Sequence, residues 1–525
     1  MASLLIIEAG EQQNRKLIAA LDEKWRKKIK AEYLERLVDG KTMEQATPII
    51  IKTYQSKLRR IEQTNDVDIL EIILNSLTHL YDPHTSYLAP RMAKNFNLNM
   101  KLSLVGIGLI VQSHDDLVRI SRIVKGGPGE IAGFQPNDIV LAIAQAQGEF
   151  VDIEGMRLDE VVELMRGAKG SLVRLKIKRA DAIKIVPAIR GDVRLEEQSA
   201  RKEVVTADKE GNRVTIGIIK IPSMYIDFDA VRRGKTDYKS STRDVKVLLE
   251  ELKSQQVSGI ILDLRNNGGG SLEESTGIPS LFLAGGPIIQ FQDASGRIQR
   301  KTDSPHEPLY DGPLVVLVNE MTASGAEIVA AALQDYGRAV IVGTPTYGMG
   351  TVQLLARLRK GQLKLTQSKF YRINGDSIQL KGILPDIHLP PSIFHVGEIA
   401  LPNALKTDSI IKAKYEVSPL TLNDIEILQQ KGKERNEGDT LCRSIAELSM
   451  YLEKIASDTQ LELNIDERRN EIAKRNATLD KIIHPIRIHY NITAASSDIN
   501  TAAIFDEFYQ QEAVEVLTDL INLKK

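Results

Sequence analysis

At 525 residues with a formal net charge of −1, the chain is long enough for several domains of roughly 100–200 residues. It carries no field strong enough to favour nucleic acid or a membrane surface. A single cysteine, Cys442, excludes an internal disulfide framework, and aromatics at 5% leave few stacking platforms for single-stranded nucleic acid.

In chain order, residues 18–37 and 69–80 carry apolar positions at three- and four-residue spacing and predict helices. The opening MASLLIIEAGEQQ has only a short apolar run and no basic segment before it, so it does not read as a signal peptide. No stretch approaches the ~20 apolar residues that span a bilayer. The basic run KWRKKIK (24–30) reads as an exposed helix face. DPHTSYLAPR (82–91) breaks the helical pattern with two prolines. From Lys101 the runs shorten to LVGIGLIVQ, VRISRIV, DIVLAIA and LVRLKIKR, which predict strands, with one helix at 158–165. After the charged RLEEQSARKE come VTIGIIKI, GIILDLR, LVVLVN and AVIVG, continuous apolar runs suited to strands covered on both faces. Beyond Pro390 and Pro391 the chain is again polar and helical, and no internal repeat or low-complexity tract interrupts it.

Chemistry concentrates in 322–353, TASGAEIVAAALQDYGRAVIVGTPTYGMGTVQ. A short turn leads directly into an apolar helix, so Ser324 stands at a helix N-terminus. Unpaired N–H groups and the positive end of the helix dipole favour developing negative charge there. That position suits a serine nucleophile with its oxyanion hole. DLRNNGGG (263–270) follows a buried strand and ends in three glycines that let backbone approach a substrate. Asn374-Gly375 reads as a hairpin turn. The eight histidines assemble into no triad; His306 and His388 lie in Pro-flanked loops and read as solvated. No histidine or cysteine cluster has metal-ligand spacing. A phosphate loop beginning at Gly343 fails because Met349 stands where its lysine must be, and dinucleotide binding at GIG fails at Val111.

These segments, in order, resemble the carboxy-terminal processing (tail-specific) serine proteases, whose pattern runs roughly SASASEI…DYGRA…GEPTFGKGTVQ. The resemblance implies that Ser324 attacks and that the lysine of FGKG takes its proton. Here that lysine position is Met349. Gln353 falls where the family's glutamine orients the lysine, and an oxyanion N–H falls to Gly269 or Gly270 beside that of Gly325. His84, in DPHT, matches a family segment outside the dyad and reads as structural. LVGIGLIV, GGPGEIAGFQPNDIVLAI and LDEVVELMRGAKG resemble a PDZ domain, with Gly106, Ile107 and Gly108 as the loop that binds a free carboxylate. Asn137 stands where that domain usually has glycine, and asparagine tolerates a left-handed turn.

The implied fold is an α/β multidomain protein. It has a helical region at 1–100, an inserted β-rich PDZ domain at 101–190, a spiral, crotonase- or Clp-like α/β protease core at 191–395 and a helical region at 396–525. The implied function is a tail-specific serine endopeptidase that needs no cofactor or metal. Its partners are protein substrates with unstructured apolar C-termini, and an adaptor protein; its compartment is the periplasm. Met349 sets a catalytically inactive tail-binding pseudoprotease or adaptor beside that expectation, because a thioether is no useful base. Thr322, Gly325, Ala326 and Thr344 also depart from the family pattern, and this cluster favours natural divergence over a single inactivating change. A crotonase-like acyl-CoA enzyme shares the core layout but leaves the PDZ block and SKFYRINGDSIQLKG unexplained.

Overall fold

The computed structural model describes residues 2–114, 117–209, 212–392, 397–417, 420, 422–492 and 500–524. The chain divides into two compact units, 1–64 with 444–499 and 65–443 with 500–525. The first unit is helical, with Ala2–Val38, Met43–Glu62 and Ile465–Tyr490. Thr42 and Gln45 exchange side-chain and backbone hydrogen bonds in a capping box that starts the second of these helices. Trp25 meets Tyr54 edge-on at 5.8 Å.

The second unit is built on a six-stranded sheet in the order Arg201–Lys209, Asn212–Lys220, Gly259–Asp263, Leu314–Val318, Val340–Gly343, Ile387–His388. Its first pair is antiparallel and the rest are parallel. GIILD and LVVLV are buried at every residue, as continuous apolar runs predict for strands covered twice. Ile260, Leu262, Leu314 and Val316 face helices Ser241–Ser254, Leu272–Ser280 and Gly325–Asp335 in one core. Each such side chain contributes about 1.5–3 kcal/mol by leaving water.

Helix Thr501–Leu523 covers the same two central strands from the other side. It therefore belongs with the core, although the sequence reads as one helical region from 396 to the end. Gly259 makes the close approach possible: a Cβ there would meet side-chain carbons of Leu517 and Ile521 at 3.0 Å.

A second, antiparallel sheet is formed by Ser86–Leu88, Gln362–Tyr371, Gly286–Asp293 and Ile298–Asp303, with Thr351–Arg357 also paired to Gln362–Tyr371. The expected β-rich block lies in sequence between Ser86–Leu88 of this sheet and Arg201–Lys209 of the first. Leu109–His114, Leu117–Ile123, Ile139–Gln145, Leu172–Arg179 and Ala182–Ile189 line up in that order around their own core. Helix Leu158–Met165 closes this core with Val161 and Met165. The chain enters and leaves the block through Ser103–Gly106 and Gly191–Arg194, which pair with each other. Asn137 adopts φ 73°, the left-handed turn that asparagine tolerates.

Candidate active site

Three adjacent parallel strands, Gly259–Asp263, Leu314–Val318 and Val340–Gly343, run out into RNNGGG, NEMTASG and TPTYGMG in turn. Loops beyond the carboxyl ends of parallel strands are where α/β sheets hold their ligands. Asparagines and a threonine tie the first two loops together, and Tyr347 N–H of the third donates to Thr322 O at 2.9 Å. Asn267 accepts from Ala323 N–H through its backbone carbonyl at 2.9 Å, and its side-chain amide donates to Ile221 O at 2.8 Å. Asn319 Oδ1 accepts from Asn266 N–H at 2.9 Å, and Thr322 Oγ1 donates to Leu264 O at 2.9 Å.

Ser324 sits at φ 53°, ψ −115°, a left-handed conformation that strains a non-glycine residue by about 1–3 kcal/mol. Helix Gly325–Asp335 begins at the next residue and is buried from Gly325 through Leu333, which over-determines the turn. Gly269, at φ 91°, presses against it: a Cβ there would lie 2.7 Å from Gly325 N and 2.9 Å from Ser324 Cβ. Of the two glycine alternatives at this turn, the Gly269 N–H is engaged, donating to Asn267 Oδ1 at 2.9 Å. No hydrogen bond among the described residues claims the N–H of Gly270 or of Gly325. Gly270 N lies 3.5 Å from where a Gly325 Cβ would stand.

Glu327 organises the rest. Its carboxylate accepts from Ser324 N–H at 2.7 Å, Thr346 Oγ1 at 2.5 Å, Gly348 N–H at 2.8 Å and Met349 N–H at 3.0 Å. Burial without a cationic partner pushes its pKa up to about 7, against the pull of those four donors. One carboxylate oxygen thus joins the Ser324 turn to the Met349 turn. Gln353 Nε2 donates to Thr351 Oγ1 at 2.9 Å and Thr366 Oγ1 at 3.3 Å. Ser324, Met349, Gln353, Gly269, Gly270 and Gly325 all line one cavity of about 690 Å³, walled by apolar residues including Phe96, Met100 and Phe228.

Family models match along almost the whole chain: the tail-specific protease N-terminal domain at 9–91, a PDZ domain at 119–179, peptidase family S41 at 215–389 and the C-terminal domain of tail-specific protease at 394–522. The tail-specific protease of Haemophilus influenzae is 35% identical over 522 residues, 95% of this chain and 69% of that protein. The chain belongs to the tail-specific proteases of peptidase family S41. The carboxy-terminal processing protease CtpA of Bacillus subtilis is 28% identical over 443 residues, covering 80% of this chain and 89% of that one. Among solved structures, the PDZ domain of a Vibrio cholerae carboxy-terminal protease in complex with peptide is 36% identical, over 18% of this chain and 100% of that one, at a TM-score of 0.17.

In this tail-specific protease homologue the three PDZ-loop residues differ in accessibility. Gly106 ends the entry strand opposite Gly191, and Ile107 is buried in the domain core. Gly108 takes φ 72°, and its carbonyl accepts from Val124 N–H at 2.8 Å. The N–H groups of Ile107 and Gly108 donate to nothing among the described residues. Leu109–His114, which follows, is an edge strand paired on one side only. Such an edge is open to an added peptide strand.

His84, which reads from the sequence as a structural residue outside the dyad, stands in the wall of the Ser324 cavity. Its Nε2 lies 2.7 Å from Glu398 Oε2. Glu327 was legible as the last letter of an S-x-x-E capping box, whereas Glu398 stands 314 residues from His84 and gave no local signal. Among the described residues no group of histidine, cysteine and carboxylate side chains could hold a metal ion. No helix there is long and apolar enough to cross a membrane.

Proposed function

We propose that this tail-specific protease homologue is a serine endopeptidase. It captures the unstructured, apolar C-terminus of a protein substrate on the edge strand of its PDZ domain and attacks that substrate with Ser324. The observation that carries the proposal is the strained Ser324 at a buried helix N-terminus, beside two N–H groups that no protein acceptor claims. Ser324 Oγ adds to the scissile carbonyl, and Gly270 N–H and Gly325 N–H hold the oxygen as it gains charge, a contribution worth about 3–4 kcal/mol per donor. The apolar cavity wall excludes water and strengthens those contacts. The periplasm, which the family resemblance implies, is part of this proposal.

Met349 occupies the position of the family's lysine and can take no proton. General-base assistance is worth roughly 10²–10⁴-fold, so this chain works more slowly than one with lysine there. Gln353 is engaged by two threonines rather than by a base. Met349 also favours a second reading, a tail-binding protein with no turnover. The test is the initial cleavage rate of an unfolded protein ending in apolar residues, compared between the chain and Met349→Lys. Faster cleavage by Met349→Lys, lost again on Ser324→Ala, supports the endopeptidase. Binding without cleavage by either chain supports the second reading.

A further inference from the structure

We propose that a second cavity, at the end of the core sheet away from Ser324, binds a small amphipathic anion. Its ligand is an aliphatic or aromatic carboxylate, with the apolar body inside and the head group at a basic mouth. The cavity holds about 830 Å³, within the range of small-molecule sites. It opens where Leu314–Val318 begins, beside Pro313, and next to Gly337 and Arg338, which lead into Val340–Gly343. The Ser324 turn lies beyond the other ends of those strands, and Leu314 to Val318 alone spans about 13 Å. The two cavities share no lining residue.

The interior suits an apolar body. Phe282, Leu283, Leu314 and Leu520 line it with side chains that the rest of the protein already buries. Tyr336 and Tyr415 add two rings whose centroids are 5.3 Å apart. The Tyr336 hydroxyl is turned away to the backbone, donating to Pro287 O at 3.1 Å. Gly285, Gly286, Gly312 and Gly337 also line the space and bring no side chain to fill it. A ligand body placed there leaves water on most sides, which is the driving force for apolar binding.

The head group is specified by Arg338. Its Nε donates to Phe282 O at 3.1 Å and its Nη2 to Tyr310 O at 2.9 Å. Both acceptors are neutral carbonyls, and no carboxylate among the described residues forms an ion pair with this guanidinium. Burial lowers its pKa, as expected of a cation taken from water without a counter-charge.

Two lysines stand at the same mouth. Lys414 is exposed and pairs with no carboxylate among the described residues, and Lys524 is held 3.9 Å from Asp424. Lys412 lies over the Tyr415 ring at 4.8 Å from its centroid. The acidic lining residues, Asp311 and Glu416, are both exposed, so solvent and salt screen them more than the half-buried Arg338. An incoming carboxylate supplies the counter-charge that Arg338 lacks. A cationic ligand would add a like charge beside Arg338, Lys414 and Lys524.

The test is a fluorescence titration with 1-anilinonaphthalene-8-sulfonate, an aromatic anion that reports apolar surroundings. It compares the full chain with Ala284→Trp, Lys414→Glu and Glu416→Lys, and then displaces the probe with decanoate or decylamine. Ala284, Lys414 and Glu416 are exposed lining residues, so the variants should keep the parent's Tm. Signal from other apolar surfaces is common to all four chains. The expected result is one class of sites that Ala284→Trp removes. Lys414→Glu should weaken it about three- to tenfold and Glu416→Lys tighten it by a similar factor, the effect of reversing one charge at a wet rim. Decanoate should displace the probe and decylamine should not. Superimposable titrations of the parent and Ala284→Trp, at equal Tm, overturn the site. If Ala284→Trp melts early, the two charge variants decide, and titrations that both match the parent overturn it. Equal displacement by decanoate and decylamine overturns the anionic ligand class.

Discussion

Replacing Glu327 with alanine removes the acceptor shared by Ser324 N–H, Thr346 Oγ1, Gly348 N–H and Met349 N–H. Each buried donor left without a partner costs about 1–3 kcal/mol. Water entering the space relieves part of that, so a net loss of about 3–5 kcal/mol is expected at pH 5. The loss should depend on pH in a defined direction. Burial raises the carboxyl pKa from 4.5 to about 7, so between those values the folded protein binds a proton that the unfolded chain does not. Stability from this group is fully present below the unfolded pKa and declines as pH rises through the folded one. Integrating the two titrations between pH 5 and pH 8 gives about 2.5 kcal/mol, so Glu327→Ala should be less damaging at pH 8 by about that amount. Urea denaturation of both chains at the two pH values measures it. A difference independent of pH, or larger at pH 8, refutes the assignment of a raised, desolvated carboxyl to this position.

Gly269→Ala places a Cβ 2.7 Å from Gly325 N at a φ of 91°, which should cost about 1–3 kcal/mol and displace the Ser324 turn. Thermal melting should show a lower Tm, and fluorophosphonate labelling of Ser324 should slow; an unchanged labelling rate means the two turns are not in contact. If the N–H groups of Ile107 and Gly108, which no protein acceptor claims among the described residues, read a carboxylate as proposed, a peptide with an apolar free C-terminus should bind the full chain and its C-terminal amide should lose most of the affinity. Titration calorimetry showing equal affinities places the receptor elsewhere.

The parallel strands were legible because GIILD, LVVLV and AVIVG are buried on both faces and read as uninterrupted apolar runs. The Ser324, Gly269 and Met349 turns were legible because each motif follows one of those strands within a few residues. The antiparallel sheet was not: IQRKTD is exposed or half-exposed along its whole length and carries no apolar alternation. Helix Thr501–Leu523 looked like any other C-terminal helix, since its partner is a bare glycine on a strand more than 240 residues earlier. The His84–Glu398 pair lies in the same class. A hydrogen bond between residues 314 apart depends on the completed fold, and neither neighbourhood holds a pattern that predicts it. Asn267 sits in plain view within RNNGGG, yet its role is to fill backbone valences across three loops, which spacing alone does not reveal.

Mapping the adduct of a fluorophosphonate by peptide mass spectrometry tests the central claim, a serine nucleophile at position 324, most directly. The account predicts one covalent adduct, on Ser324, formed more slowly in this chain than in Met349→Lys and absent from Ser324→Ala. An adduct on another serine, or cleavage of the tail-bearing substrate that survives Ser324→Ala, would contradict it.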